Sequence, residues 1–171
     1  MQIVDLLLTG GCVLNVFSGA VEALDVAVAG GRVVGFGDYA AHERLDVSGR
    51  LLLPGFCEGH VHLESTMLAP AAFARAVAER GTTTVVADPH EIANVAGLDG
   101  VRYLSQATPA DWLDLRLMAP SCVPATPFET AGAEIGPDEI AEMLTWPQVL
   151  GLGEMMNFPG VIGGDPQVLA K

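Results

Sequence analysis

Lysine is almost absent from this sequence, and the only one is the last residue, Lys171. Residues 1–170 therefore cannot supply a lysine nucleophile, a Schiff-base lysine or a carboxylated lysine. Positive charge is scarce as a whole, since 8 lysines and arginines stand against 21 acidic residues, for a formal net charge of −13. We therefore expect no nucleic-acid partner and no electrostatic anchor to a membrane.

Cysteine and long apolar runs are also rare. The three cysteines, Cys12, Cys57 and Cys122, are odd in number and form no CxxC pair, so neither a disulfide framework nor a cysteine-rich zinc site is expected. The longest uncharged stretch near the start, residues 6–21, contains three glycines and is too short to span a bilayer. No basic leader precedes it, so we expect no signal peptide and a cytoplasmic protein.

The apolar content of the chain predicts a folded protein. Half of the 171 residues are hydrophobic and the mean hydropathy is +0.40, which excludes disorder as the general state. The length suits about one domain. It is too short for a complete eight-stranded (βα) barrel, which needs ~250 residues.

The patterning predicts two regions. Residues 1–53 read as short strands at 3–8, 12–17, 25–29 and 32–36, with a hairpin at Gly30-Gly31, and they predict a small antiparallel β module. Residues 54–171 alternate strands and helices. The predicted strands are 51–56, 82–87, 113–119 and 148–153, and the predicted helices are 70–80, 97–107 and one opening at Pro137. This rhythm predicts an α/β fold with about four parallel βα units.

The end of the chain carries one more helix signal. Asp165-Pro166 supplies a cap and a first-turn proline, and only five residues follow the proline. A helix that starts so close to the end predicts a truncated chain.

The strongest chemical signal is His60-Val61-His62, close to the end of the first barrel-type strand. On an extended chain, residues i and i+2 point the same way, so both imidazoles can reach one ion. The alternative is two loop histidines without a metal. We favour a metal site, because active sites in such folds lie at the carboxyl ends of parallel strands.

A second polar group, Asp88-Pro89-His90-Glu91, follows the next strand. These side chains could contact substrate, support the ligands, or bind a further metal. An ordinary Asp-Pro turn with an acid at a helix start is the alternative. Strand-end position favours a functional role, here a catalytic one, for His90 over Glu91.

The third and fourth strands end in further polar residues. Glu154, flanked by glycine, is a carboxylate that can bridge two ions and keep a bound water acidic. Ser121 and Cys122 follow the third strand, with no nearby histidine to form a nucleophilic dyad. Lining or packing is the favoured role there, and Cys57 is expected to face the core.

The run Pro54–His62, PGFCEGHVH, resembles the metal-dependent amidohydrolase superfamily. Three longer segments narrow the resemblance to its adenine deaminase family: GTTTVVADPHEIANV at 81–95, PSCVPATPFET at 120–130 and GLGEMMNFPG at 151–160. The resemblance covers essentially the whole chain. It implies the first half of a (βα)₈ barrel, preceded by part of a β-sandwich.

The family resemblance also implies an activity and a ligand set. A metal-bound hydroxide would attack C6 of adenine, a small purine partner, giving hypoxanthine and ammonia. His60 and His62 would hold one divalent metal of a binuclear centre and Glu154 would bridge both, with manganese or iron expected and zinc as the alternative. Asp88, Glu91 and Ser121 would contact substrate or support the ligands.

Three interpretations of the function are left open by the sequence. The family's remaining ligands, two histidines and an aspartate, come from strands beyond this chain, so catalysis is expected only within a longer chain. A half-barrel exposes a strand edge and an apolar face, which predicts a homo-oligomer or a non-catalytic product. Action on another amine or amide is the third reading.

Overall fold

The computed structural model describes residues 3–107 and 112–171. The chain divides into two compact units, Met1–Pro54 and Gly55–Lys171.

The first unit contains short strands in two sheets. Its strands are β1 (Ile3–Thr9), β2 (Cys12–Leu14), β3 (Val21–Ala23), β4 (Val26–Ala29), β5 (Arg32–Phe36), β6 (Ala40–Asp46) and β7 (Leu51–Leu52). The sheet orders are β5-β4-β1-β6 and β3-β2-β7. The prediction of an antiparallel module is correct for the β1–β4, β4–β5 and β2–β3 pairs. It is wrong for β1–β6 and β2–β7, which are parallel, because tight-turn signals identify hairpins but not pairings between distant strands.

The second unit alternates strands and helices as predicted. Its elements are β8 (Phe56–Val61), a 3₁₀ turn (Glu64–Thr66), α1 (Pro70–Ala78), β9 (Thr82–Ala87), α2 (His90–Gln106), β10 (Asp114–Ala119), α3 (Pro137–Met143), β11 (Val149–Leu152), α4 (Phe158–Gly163) and α5 (Pro166–Leu169). The four strands form one parallel sheet in the order β11-β10-β9-β8. This order is consistent with the first four strands of a (βα) barrel.

Two elements of this unit differ from the sequence prediction. The predicted strand 51–56 is wrong: Leu51–Leu52 pairs in the first unit and the first parallel strand runs from Phe56 to Val61. Pro54 has no N–H to donate to a ladder, which separates the two strands. The predicted helix 97–107 is only the second half of α2, whose axis breaks at Gly97 with φ 59°, a left-handed value that favours glycine.

The apolar core of the second unit lies between the sheet and its helices. Its buried members come from α1, β9, α2, β10, α3 and the loops beside them, and they include Phe73, Leu117 and Met143. Cys57, expected to face the core, is exposed; it lies on β8, the edge strand of the sheet, where residues 56–60 are all exposed. Among the described residues, no helix combines the length and apolarity needed to cross a membrane.

Candidate metal centre

Polar side chains gather where the four parallel strands end. His60 is on β8 and His62 follows it; Asp88 and His90 follow β9; Ser121 follows β10; Glu154 follows β11. The parallel arrangement brings all four carboxyl ends to the same edge of the sheet. Residues that are as much as 94 positions apart thereby face one small volume.

The two histidines of the HxH motif converge with their Nε2 atoms 3.2 Å apart. Nδ1 of His62 lies 3.0 Å from the carbonyl oxygen of Asp88. A carbonyl oxygen can only accept, so Nδ1 of His62 carries the proton and Nε2 presents its lone pair. A backbone partner of this kind fixes the tautomer and ring orientation of metal-binding histidines.

Glu154 completes a three-atom cluster with these histidines. Its Oε1 lies 3.9 Å from Nε2 of His60 and 3.5 Å from Nε2 of His62. Together with the 3.2 Å between the two nitrogens, these separations define a triangle whose centre is about 2.1 Å from each atom, the ~2.0–2.2 Å of metal–nitrogen and metal–oxygen bonds. Two imidazole nitrogens and one carboxylate oxygen are therefore spaced to fit a single divalent ion.

Asp88 and His90 form a second cluster that shares the Glu154 carboxylate. Nδ1 of His90 is 3.6 Å from Oδ1 of Asp88 and 3.5 Å from Oε1 of Glu154. Asp88 is 1% exposed, and neither its Oδ1 nor Nδ1 of His90 has a hydrogen-bond partner among the described residues. Buried polar atoms are rarely left unpaired, so this cluster has capacity for a bound group.

The backbone around Glu154 is held by residues that follow β9 and β10. Oδ2 of Asp88 accepts the Glu154 N–H at 2.9 Å. The buried Ser121 hydroxyl donates to the Glu154 carbonyl oxygen at 2.6 Å. Gly153 is required at the preceding position, because a Cβ there would overlap the Asp88 carboxylate and lie 3.1 Å from the carbonyl oxygen of Ala119. Both peptide groups of Glu154 are thereby anchored.

Two glutamates near the site accept hydrogen bonds outside the two clusters. Glu91 accepts a hydrogen bond from Ser65 and lies in the first turn of α2, outside both clusters. Glu64, for which the sequence predicted no role, accepts the Ile92 N–H at 3.0 Å. A carboxylate near a helix N-terminus accepts hydrogen bonds from free N–H groups. In the sequence, the only sign of a role for Glu64 was its position two residues after the HxH motif.

Cys122 packs under the loop that carries Glu154. It is 1% exposed, and its Sγ accepts the Met156 N–H at 2.9 Å and the Asn157 N–H at 3.3 Å. This contact agrees with the expected packing role, but its partners, 34 and 35 residues away, could not be read from the sequence.

The sequence of this chain is similar to known amidohydrolases. The model of the amidohydrolase family matches residues 51–153. An adenine deaminase of Nitratidesulfovibrio vulgaris is 54% identical over 168 residues, covering 98% of this chain and 29% of that protein. An adenine deaminase of Methanothrix thermoacetophila is 52% identical over 167 residues, covering 98% of this chain and 30% of that protein. The chain thus spans less than a third of the length of these curated relatives and resembles their N-terminal portion.

Solved structures give a more distant likeness. A crystal structure of D-aminoacylase superposes with a TM-score of 0.53 at 25% identity, covering 67% of this chain and 29% of that protein. The likeness agrees with the alternation of strands and helices in the second unit.

Proposed function

Because this chain belongs to the amidohydrolase family, we propose that it supplies the N-terminal half-barrel and part of the metal centre of an adenine-deaminating hydrolase. The observation that carries the proposal is the cluster of His60, His62 and Glu154, whose three atoms suit one divalent ion. The identity of about half of the residues to proteins called adenine deaminase supports adenine as the substrate.

The bound metal would supply a water acidic enough to act as a nucleophile at neutral pH. The residues of this chain prepare for that chemistry. The Asp88 carbonyl holds His62 in the tautomer that offers Nε2, and Ser121 and Asp88 hold the backbone of Glu154. The backbone from which the Glu154 carboxylate extends is therefore held in place by two hydrogen bonds.

This chain would supply only some of the metal ligands, and a longer chain would supply the others. The family resemblance implies two further histidines and an aspartate in later strands, and this chain covers only 29% of the Nitratidesulfovibrio vulgaris relative. We accordingly place catalysis in a longer chain and manganese or iron in its centre. The purine is the proposed small-molecule partner.

The test compares the complete reading frame with the 171-residue chain. Each is loaded with Mn(II) and given adenine, and hypoxanthine and ammonia are quantified. We expect equal amounts of both products from the longer protein, loss of that turnover on His60→Ala, and little or no turnover from the 171-residue chain. His42→Ala is the matched control, since His42 is an exposed strand residue of the other unit.

An amide substrate, assayed beside adenine, tests whether the enzyme acts on a different substrate class. The likeness to D-aminoacylase makes an N-acyl-D-amino acid the amide to try beside adenine. Hydrolysis of that amide without release of hypoxanthine would overturn adenine as the substrate. Robust turnover of adenine by the verified 17.8 kDa chain, abolished by His60→Ala, would overturn the division of the site between this chain and later strands.

A further inference from the structure

We propose that a cavity in the second unit binds the purine base, which stacks on the Phe128 ring and accepts a hydrogen bond from Asn157. The cavity has a volume of about 500 Å³ and lies between the loop that follows β10 and the helices α4 and α5. Pockets for small molecules have volumes of ~300–1,000 Å³. The inference deepens the proposed function and rests on it.

The cavity and the candidate metal centre share one loop. Asn157, on the cavity wall, follows Glu154 by three residues, so their Cα atoms are at most ~11 Å apart. The Asn157 N–H donates to Sγ of Cys122 at 3.3 Å, and the neighbouring Ser121 hydroxyl donates to the Glu154 carbonyl oxygen. Two adjacent residues after β10 therefore hold both the cavity wall and the backbone of Glu154.

Phe128 offers an open aromatic face on the wall of the cavity. It is 90% exposed, and its N–H donates to the Thr126 hydroxyl at 3.4 Å, while the Thr126 carbonyl oxygen accepts the Glu129 N–H at 3.3 Å. Exposure alone does not indicate a site, since Phe17 in the first unit is 99% exposed. Phe128 differs because it borders a cavity, where a planar base can stack on its ring, as bases do on aromatic side chains.

Asn157 supplies a hydrogen-bond donor on the same cavity. Its Oδ1 accepts the Gly160 N–H at 3.1 Å and caps α4. Because a backbone N–H can only donate, the side-chain atom that faces Gly160 is the oxygen, and Nδ2 is left to donate elsewhere. Among the described residues, Nδ2 has no hydrogen-bond acceptor. A ring nitrogen of a purine is an acceptor of the kind that an asparagine amide binds.

The charge on the cavity wall favours a neutral base over an anion. The described residues that line the cavity include no lysine, arginine or histidine, and their one ionisable side chain is the Asp165 carboxylate. A ligand that carries a carboxylate would find no cation on this wall and would be repelled by Asp165. The cavity therefore suits adenine better than an N-acyl-D-amino acid, the alternative substrate class.

The test measures ligand binding to the metal-free 171-residue chain by isothermal titration calorimetry. We expect adenine to bind and N-acetyl-D-leucine to bind more weakly. Phe128→Ala should weaken adenine binding about 5–150-fold through loss of stacking. Asn157→Asp, which keeps an oxygen to cap α4 and removes the donor, should weaken it about 10-fold. Phe17→Ala is the matched control and should leave adenine binding unchanged.

Kinetics of the complete protein add a readout that a structural role would not move. With Mn(II) bound, Phe128→Ala should raise KM for adenine and leave kcat nearly unchanged, as loss of ground-state binding does. Circular dichroism and thermal unfolding establish that each variant is folded. Because Phe128 is exposed and Asn157→Asp keeps the helix cap, the two variants test the cavity independently.

The outcomes distinguish this inference from the proposed function. Adenine binding that is absent from the unchanged chain, or unaffected by both variants, overturns the cavity as the base site, while adenine turnover by the complete protein would keep the proposed function. An effect of only one variant overturns the role of the other residue. Binding that both variants weaken, in a complete protein that releases no hypoxanthine, supports the cavity and overturns adenine deamination. Tighter binding of N-acetyl-D-leucine than of adenine overturns the choice of a neutral base.

Discussion

Replacing Gly153 by alanine should damage the site far more than the same change at Gly151, two residues earlier at the same strand end. At Gly153 the new Cβ would overlap the Asp88 carboxylate, lying 2.9 Å from its Cγ, and would sit 3.1 Å from the Ala119 carbonyl oxygen. At Gly151 its nearest neighbour is Cε of Met118 at 3.6 Å, an ordinary contact.

The magnitude follows from what must move. Overpacking of a close-packed site costs ~1–3 kcal/mol, and a shift of Asp88 would instead forfeit its 2.9 Å hydrogen bond to the Glu154 N–H, which costs about the same. We expect the free energy of unfolding of Gly153→Ala to fall by about 1–3 kcal/mol. Gly151→Ala should stay within about 0.5 kcal/mol of the unchanged chain.

Urea unfolding of the metal-free proteins measures the stabilities, with an unchanged m-value as the sign that the denatured states are comparable. Mn(II) titration measures the functional consequence. Because Asp88 and the Glu154 backbone move with Gly153, affinity should fall ~10–100-fold in Gly153→Ala only. Two alanine variants that cannot be told apart in stability and affinity would refute the argument that Asp88 and β11 are packed against each other at this point.

Three further changes test other contacts. Ser121→Ala removes the 2.6 Å hydrogen bond to the Glu154 carbonyl oxygen; urea unfolding should show a loss of about 1–3 kcal/mol, and an unchanged midpoint would contradict the anchoring role. Glu154→Gln should lower bound metal by elemental analysis of the complete protein, and unchanged metal content would rule out a bridging carboxylate. The Ser48 hydroxyl and then its N–H lower the pKa of Asp46 below its usual 3.8. The contribution of this contact to stability is therefore present above pH ~3.8 and lost as pH falls through the lowered pKa. In a carboxyl NMR titration, Ser48→Ala should return that pKa towards 3.8; no change would contradict the hydrogen-bond cause.

Local signals in the sequence predicted most of the second unit. Proline at a first turn and glycine at a stop located α1, observed at Pro70–Ala78 with Gly81 at φ 90° just beyond it. β-branched residues located β9 at Thr82–Ala87. These signals act over a few residues, which is why they can be read without a fold.

The sequence-based predictions were wrong where a strand's pairing depends on a distant partner. The apolar run at 51–56 reads as one strand, yet its two ends pair in different sheets. The parallel pairs β1–β6 and β2–β7 join strands that no tight turn connects. Strand pairing depends on partners tens of residues away, and a single strand carries little information about them.

In the candidate site, too, the sequence predicted local features but not contacts between distant residues. By itself the sequence determined which residue types end each parallel strand, and the i, i+2 spacing already implied that His60 and His62 face one way. Only the tertiary structure decided that Glu154 lies 3.5 Å from both His62 and His90, that Asp88 holds it, and that Glu91 points instead to Ser65. Such distances follow from the register and spacing of neighbouring strands, which the packing of the whole sheet sets and no local stretch of sequence contains.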